Sequence, residues 1–149
     1  MKKAVLLFLT IIFTSYSFAQ QKDSIDDLTI IKSFIQDLAN ENKAADVILS
    51  QYIVVEEPSD EKYDYLEVSL QEIRINLISK KIDDIAYIPF HQMPRKDIRD
   101  IDTEGLDTTS MYFLYYKKRQ MLAIYVEKGK IGSFTLVSKG NNKAHFVLY

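Results

Sequence analysis

The chain has 149 residues and no cysteine, which excludes disulfides and a bacterial lipoprotein anchor, since there is no thiol to acylate. Its 19 basic and 21 acidic residues give a formal charge of −2, a balance that argues against non-specific nucleic-acid binding, which needs a basic face to displace counterions. No internal repeat and no low-complexity segment is present.

The first nineteen residues have the organisation of a signal peptide. Lys2 and Lys3 form a positive start, Ala4 to Phe13 an apolar run, and Ser17-Phe18-Ala19 a small-residue cleavage site before Gln20. The alternative, an uncleaved anchor, meets a run short for a bilayer span. Cleavage leaves 20–149 as a single domain of 130 residues, with 17 basic against 21 acidic groups and a net charge of −4. The expected destination is periplasmic or secreted, with no stable membrane insertion after cleavage.

Gln20 to Asp23 reads as a frayed tail. Ser24 offers an N-cap hydroxyl, Asp26 and Asp27 favour the positive end of a helix dipole, and Leu28, Ile31, Ile35 and Leu38 recur at helical spacing to about Asn42. Ala45, Ile48, Leu49 and Tyr52 suit a second, short helix, although Tyr52 to Val55 is β-branched enough for a strand. Ser59 or Asp60 caps the longest helix, whose stripe is Tyr63, Leu66, Leu70, Ile73 and Leu77, backed by Tyr65, Val68, Ile75 and Ile78. This helix is the expected lid of the sheet, in contact with protein on more than one side. Ile85 to Ile88 reads as a strand ended by Pro89. His91 to Asp107 has no sustained period, and Lys96 to Arg99 suits one helical turn.

Four strands then follow in a row: Met111 to Tyr116, Met121 to Val126, Ile131 to Val137 and His145 to Tyr149, with turns at Glu127 to Lys130 and Lys139 to Asn142. Links this short enforce antiparallel pairing. The fold class is therefore α+β, with two or three N-terminal helices packed on an antiparallel C-terminal β-meander.

No catalytic, metal or cofactor motif stands out. Asp100, Asp102, Glu104 and Gly105 resemble the opening of a calcium loop, but Met111 occupies the position of the bidentate Glu, and a solvated acidic loop is the plainer reading. His91 and His145 have no second ligand at metal spacing. There is no G-x-S-x-G and no glycine-rich phosphate loop, and Glu56-Glu57 and Asp83-Asp84 are adjacent pairs that diverge in a strand. The ten tyrosines are the informative excess. Phe113 and Tyr115 are expected on the side the helices cover. Tyr112, Leu114 and Tyr116, with Tyr125 on the next strand, form the expected ligand or partner surface.

The order helix, short helix, long helix, strand and meander resembles the ketosteroid-isomerase-like superfamily, also called nuclear-transport-factor-two-like. That resemblance implies a curved sheet with a conical pocket, occupied in its enzymes by an acid beside His, Tyr or a second acid; no such pair maps onto numbered positions here. The expected function is a small exported, non-catalytic domain that binds a small molecule or a protein through its sheet. A pocket enzyme of isomerase or dehydratase type is one alternative, and an inhibitor or immunity-type protein that masks a partner with acidic loops is another.

Overall fold

The computed structural model describes residues 27–149. The expected leader and the expected cap at Ser24 lie outside the described residues.

Helix α1 covers 27–39 and buries Ile31, Ile35 and Leu38 of the predicted stripe together with Phe34 beside it, while Leu28 is half-buried. Arg74 closes its far end by donating from Nε to the Leu38 carbonyl at 2.9 Å and from Nη2 to the Lys43 carbonyl. Carbonyls at a helix end have no partner within the helix, so this cation satisfies that of Leu38, complements the dipole, and ties the loop at Lys43 to α3. Helix α2 (Ala45–Tyr52) buries Ala45, Ile48, Leu49 and Tyr52. The β-branched run after it contributes only a parallel bridge from Ile53 to Ile131, with Val54 N–H donating to the Ile131 carbonyl at 2.9 Å. Asp37 Oδ2 joins the two helices, accepting from Lys43 Nζ and, at 2.6 Å, from the Tyr52 hydroxyl. These donors hold the Asp37 carboxyl below its ordinary value, Lys43 having the larger effect.

Helix α3 (Asp60–Ile78) starts at Ser59, whose side chain accepts from Lys62 N–H at 3.2 Å, with Asp60 and Glu61 in its first turn. Of the predicted stripe, Leu66, Leu70 and Leu77 are buried and Ile73 is half-buried, while Tyr63 near the helix start is exposed. The second apolar row faces solvent: Tyr65, Val68, Ile75 and Ile78 are 53–67% exposed. The helix is therefore packed along a single stripe, not on two sides.

The main sheet has the order β1-β2-β3-β4 and is antiparallel throughout. Its strands are β1 (Ala86–Pro89), β2 (Met111–Tyr116), β3 (Arg119–Glu127) and β4 (Lys130–Ser133). Pro89 ends β1 within the sheet, which an edge strand tolerates. The third predicted strand is not continuous. Ser133 Oγ accepts from Thr135 N–H and donates to the Thr135 carbonyl, both at 3.1 Å, and this local turn ends β4. The chain restarts as a separate hairpin of β5 (Leu136–Gly140) and β6 (Lys143–Phe146), turning through Asn141 and Asn142 at φ 50° and 57°. The last predicted strand is thus displaced toward the N-terminus, and Val147 to Tyr149 runs on outside it.

Both faces of the main sheet are covered. Tyr112, Leu114, Ile124 and Val126 join the cluster built by α1, α2 and α3. Met111, Phe113, Ala123 and Tyr125 join a second cluster with Met93 and Phe146, into which Ile98, Ile101 and Leu106 also pack. The second cover is the connection between β1 and β2, including helix α4 (Arg95–Ile98), together with the β5–β6 hairpin. Among the described residues no helix is long and apolar enough to cross a membrane.

Candidate functional site

The expected tyrosine surface is not open, and the two sides of β2 are exchanged relative to expectation. Tyr112 is 3% exposed and Leu114 is fully buried, both beneath the helices. Burial raises the Tyr112 hydroxyl above its ordinary pKa, with the Asp27 charge adding to it. Tyr125, 7% exposed, lies on the opposite side against Phe146, ring centroids 6.2 Å apart. Phe113 and Tyr115 share that opposite side. The amphipathic tyrosine can be buried as an ordinary core aromatic when its hydroxyl is provided for, so its polar tip did not mark the wet side. Of the four expected residues only Tyr116 stays half-exposed.

Tyr116 stands at the mouth of a cleft of about 570 Å³ between the end of α3, the neighbouring face of α1 and the β2–β3 hairpin. The floor is apolar: Ile35, Ile73, Leu77, Leu114, Met121 and Leu122. A bulge in β3 makes part of this floor. The register passes from Leu114↔Leu122 to Tyr115↔Gln120, leaving Met121 unpaired, and Met121 and Leu122 both pack on the helix-side core despite being adjacent. The mouth carries Lys80, Lys117 and Arg119, with Asn76, Ser79 and Gln120 beside them. No carboxylate and no histidine lines it among the described residues. Local sequence patterns assign these cations no role beyond the end of a helix, where Lys80 and Lys81 suit the dipole, and the break between two strands at Lys117 to Gln120. Their only sequence signal is that the Lys117-Lys118-Arg119 run has no acidic neighbour, while the long-range pairing of the hairpin with α3 is invisible in one dimension.

The acidic loop has a structural occupation instead. Lys139 Nζ lies 2.7 Å from both Asp102 Oδ2 and Glu104 Oε1, and His145 Nδ1 lies 3.0 Å from Glu104 Oε2. Asp102 N–H donates to the Ala144 carbonyl at 2.7 Å and Ala144 N–H to the Asp100 carbonyl at 2.9 Å. The loop is thereby stitched to the β5–β6 hairpin. Among the described residues no group of three or more His, Cys, Asp or Glu is placed to hold a metal ion. His91 is exposed on a short turn beside Gln92.

The Lys139 ammonium holds the Asp102 and Glu104 carboxyls below their ordinary values of 3.8 and 4.5, helped at Glu104 by His145. Carboxyls lowered by folding bind fewer protons in the folded chain, so their contribution is complete above about pH 4.5 and fades as pH falls through the lowered values. The stitch is solvent-exposed, and its loss is local. The amide of Ala144, followed by hydrogen exchange and corrected for intrinsic chemistry, is expected to lose protection as pH falls below about 4.5. In Glu104→Gln that dependence should flatten. Protection of Ala144 unchanged over this fall in the wild type would show that the ion pairs do not hold the hairpin.

Comparison of the chain with models of protein families, with curated proteins and with solved structures finds no match in any of the three.

Proposed function

We propose that the protein is a small exported domain without catalytic activity, which holds an apolar small molecule in the cleft between α3 and the β2–β3 hairpin. Export rests on the leader signals at Lys2, Lys3, Ala4 to Phe13 and Ser17 to Ala19. Binding rests on one observation: six apolar side chains at the edge of the helix-side core line an open volume of about 570 Å³. Such a volume falls in the range of about 300–1,000 Å³ typical of small-molecule sites. Ile35, Leu77 and Leu114 are buried behind the cleft surface, and the apolar surface that Ile73, Met121 and Leu122 leave open costs free energy unless a ligand covers it. The binding surface is therefore a cleft at the end of the sheet, and the sheet contributes its wall through Leu114, Tyr116, Met121 and Leu122.

The neutral fluorophore N-phenyl-1-naphthylamine tests this reading, because it brightens on entering an apolar site. Saturable enhancement is expected in the wild type and its loss in Ile73→Trp, which fills the cleft from α3 while leaving the buried Leu66, Leu70 and Leu77 in place. Equal enhancement in the two proteins, or none in either, would count against the cleft as a site. Intact mass of protein recovered from the cell envelope checks the destination, the expected form beginning at Gln20.

A further inference from the structure

The protein as a whole is slightly acidic, yet its cleft presents three cations and, among the described residues, no carboxylate. Four other cations stand against carboxylates: Lys43 with Asp37, Arg99 with Asp100, Lys128 with Glu56, and Lys139 with Asp102 and Glu104. Lys80, Lys117 and Arg119 form no ion pair among the described residues. What holds two of them in place leaves their charge intact. Lys80 Nζ and Lys117 Nζ stand 5.9 and 5.4 Å from the centre of the Tyr116 ring, whose quadrupole attracts an ammonium without neutralising it. Lys80 also donates to the Asn76 carbonyl, which leaves donors to spare on an ammonium with three.

The turn that carries the other cations is itself unusual. Lys117 and Lys118 occupy a two-residue hairpin turn at φ 47° and 66°, a conformation that Asn and Gly take with less strain. The β3–β4 turn has Lys128 and Gly129 in these positions, and the β5–β6 turn has Asn141 and Asn142. Lysine occupies both central positions against the backbone preference of the turn, and Lys117 of the two lines the cleft mouth.

Three unneutralised cations above an apolar floor fit an amphiphile with an anionic head. Arg119 supplies the planar fork that matches a carboxylate with two parallel hydrogen bonds, and the lysines supply charge around it. We propose that the cleft takes a single-chain carboxylate, its hydrocarbon chain on Ile73, Leu77, Met121 and Leu122 and its head among Lys80, Lys117 and Arg119. This rests on the reading of the cleft as a binding site.

Displacement of N-phenyl-1-naphthylamine by dodecanoate, dodecanol and dodecyltrimethylammonium, each below its micellar concentration, separates the two ideas. Dodecanoate is expected to displace the fluorophore at concentrations at least about tenfold lower than dodecanol, with the cationic amphiphile weakest, as charge-assisted hydrogen bonds require. The combined Lys80→Gln, Lys117→Gln, Arg119→Gln variant should lose that advantage and bind dodecanol as the wild type does. Dodecanol equal to dodecanoate, or a variant that keeps the preference, would overturn the carboxylate while leaving the cleft as an apolar site. Failure of all three amphiphiles to displace the fluorophore would overturn both. A protein that sediments as a dimer and becomes monomeric in Leu122→Glu would assign the cleft to a second copy of the chain and likewise overturn the proposal.

Discussion

Phe34→Ala is expected to destabilise the protein by about 3–5 kcal/mol, the range for deleting a large buried aromatic side chain. Phe34 is fully buried on α1. Its ring meets Tyr52 of α2 edge-on at 5.7 Å and stacks on Phe134 at 6.3 Å. It therefore links both N-terminal helices to the point where the chain leaves β4. The cavity left by alanine would be walled by two aromatic rings that are themselves anchored. Tyr52 is tied to Asp37 through its hydroxyl at 2.6 Å, and Phe134 is held through its backbone N–H by Tyr149 at 3.1 Å. Neither can swing in to fill the space, which places the loss toward the upper part of the range. Against a total of about 5–15 kcal/mol for a domain, this is a large share. Urea unfolding at unchanged slope should show it as a lower midpoint; a midpoint within error of the wild type would mean that α1 does not pack as described.

Tyr149→Ala is expected to cost a comparable amount, about 3–5 kcal/mol, and Tyr149→Phe about 1–3 kcal/mol, the penalty for leaving buried polar groups without partners. The last residue of the chain is 5% exposed. Its ring lies 4.9 Å from Phe134, and its hydroxyl accepts from Phe134 N–H at 3.1 Å and hydrogen-bonds with Thr135 Oγ1. Its carbonyl accepts from Glu56 N–H at 2.7 Å, tying the end of the chain to the loop before α3. The phenylalanine variant keeps the ring and the backbone contact and removes only the hydroxyl. The order Ala, then Phe, in loss of urea midpoint is the expected result, and a Phe variant as stable as the wild type would show that the hydroxyl network contributes nothing net.

The same hydroxyl predicts a response to alkali. Burial pushes its pKa up from 10.0 to about 12. A phenol that ionises less readily in the folded chain stabilises fully below its unfolded pKa, and that contribution fades as pH rises from 10 through 12. The wild type should accordingly lose stability over this interval more steeply than Tyr149→Phe. Tyr52 and Tyr87, raised to about 12 by burial with help from Asp37 and Asp83 respectively, retain their share in both proteins.

Local patterns predicted the elements well where a stretch carried its own signal. The 3.6 periodicity from Leu28 to Leu38, the Ser59 cap, the Asn141-Asn142 turn and the run Met111 to Tyr116 all became the elements their chemistry favours. The same local reasoning failed where two signals were read as one. Ile131 to Val137 looks continuous, but Ser133 bonds the backbone two residues on and splits it. In α3, Tyr65, Val68, Ile75 and Ile78 are as apolar as the buried stripe, and only the position of its neighbours leaves them in water.

The amino-acid sequence by itself determined that this is an α+β chain with helices before an antiparallel meander, because periodicity, caps and short turns are properties of adjacent residues. Which face of β2 is covered by what was decided only by the tertiary structure. Alternation divides Tyr112, Leu114 and Tyr116 from Phe113 and Tyr115, but both sides are apolar, so the pattern has no preferred direction. The choice depends on a second cover that the aperiodic 91–107 connection did not advertise, since Met93, Ile98, Ile101 and Leu106 follow no helical or strand spacing and are gathered only when the β5–β6 hairpin folds beside them. The cleft is decided in the same way. Lys80 and Tyr116 are far apart along the chain and meet because α3 ends where the β2–β3 hairpin turns. A site assembled from such distant pieces is fixed by packing, which a linear pattern of residue types does not encode.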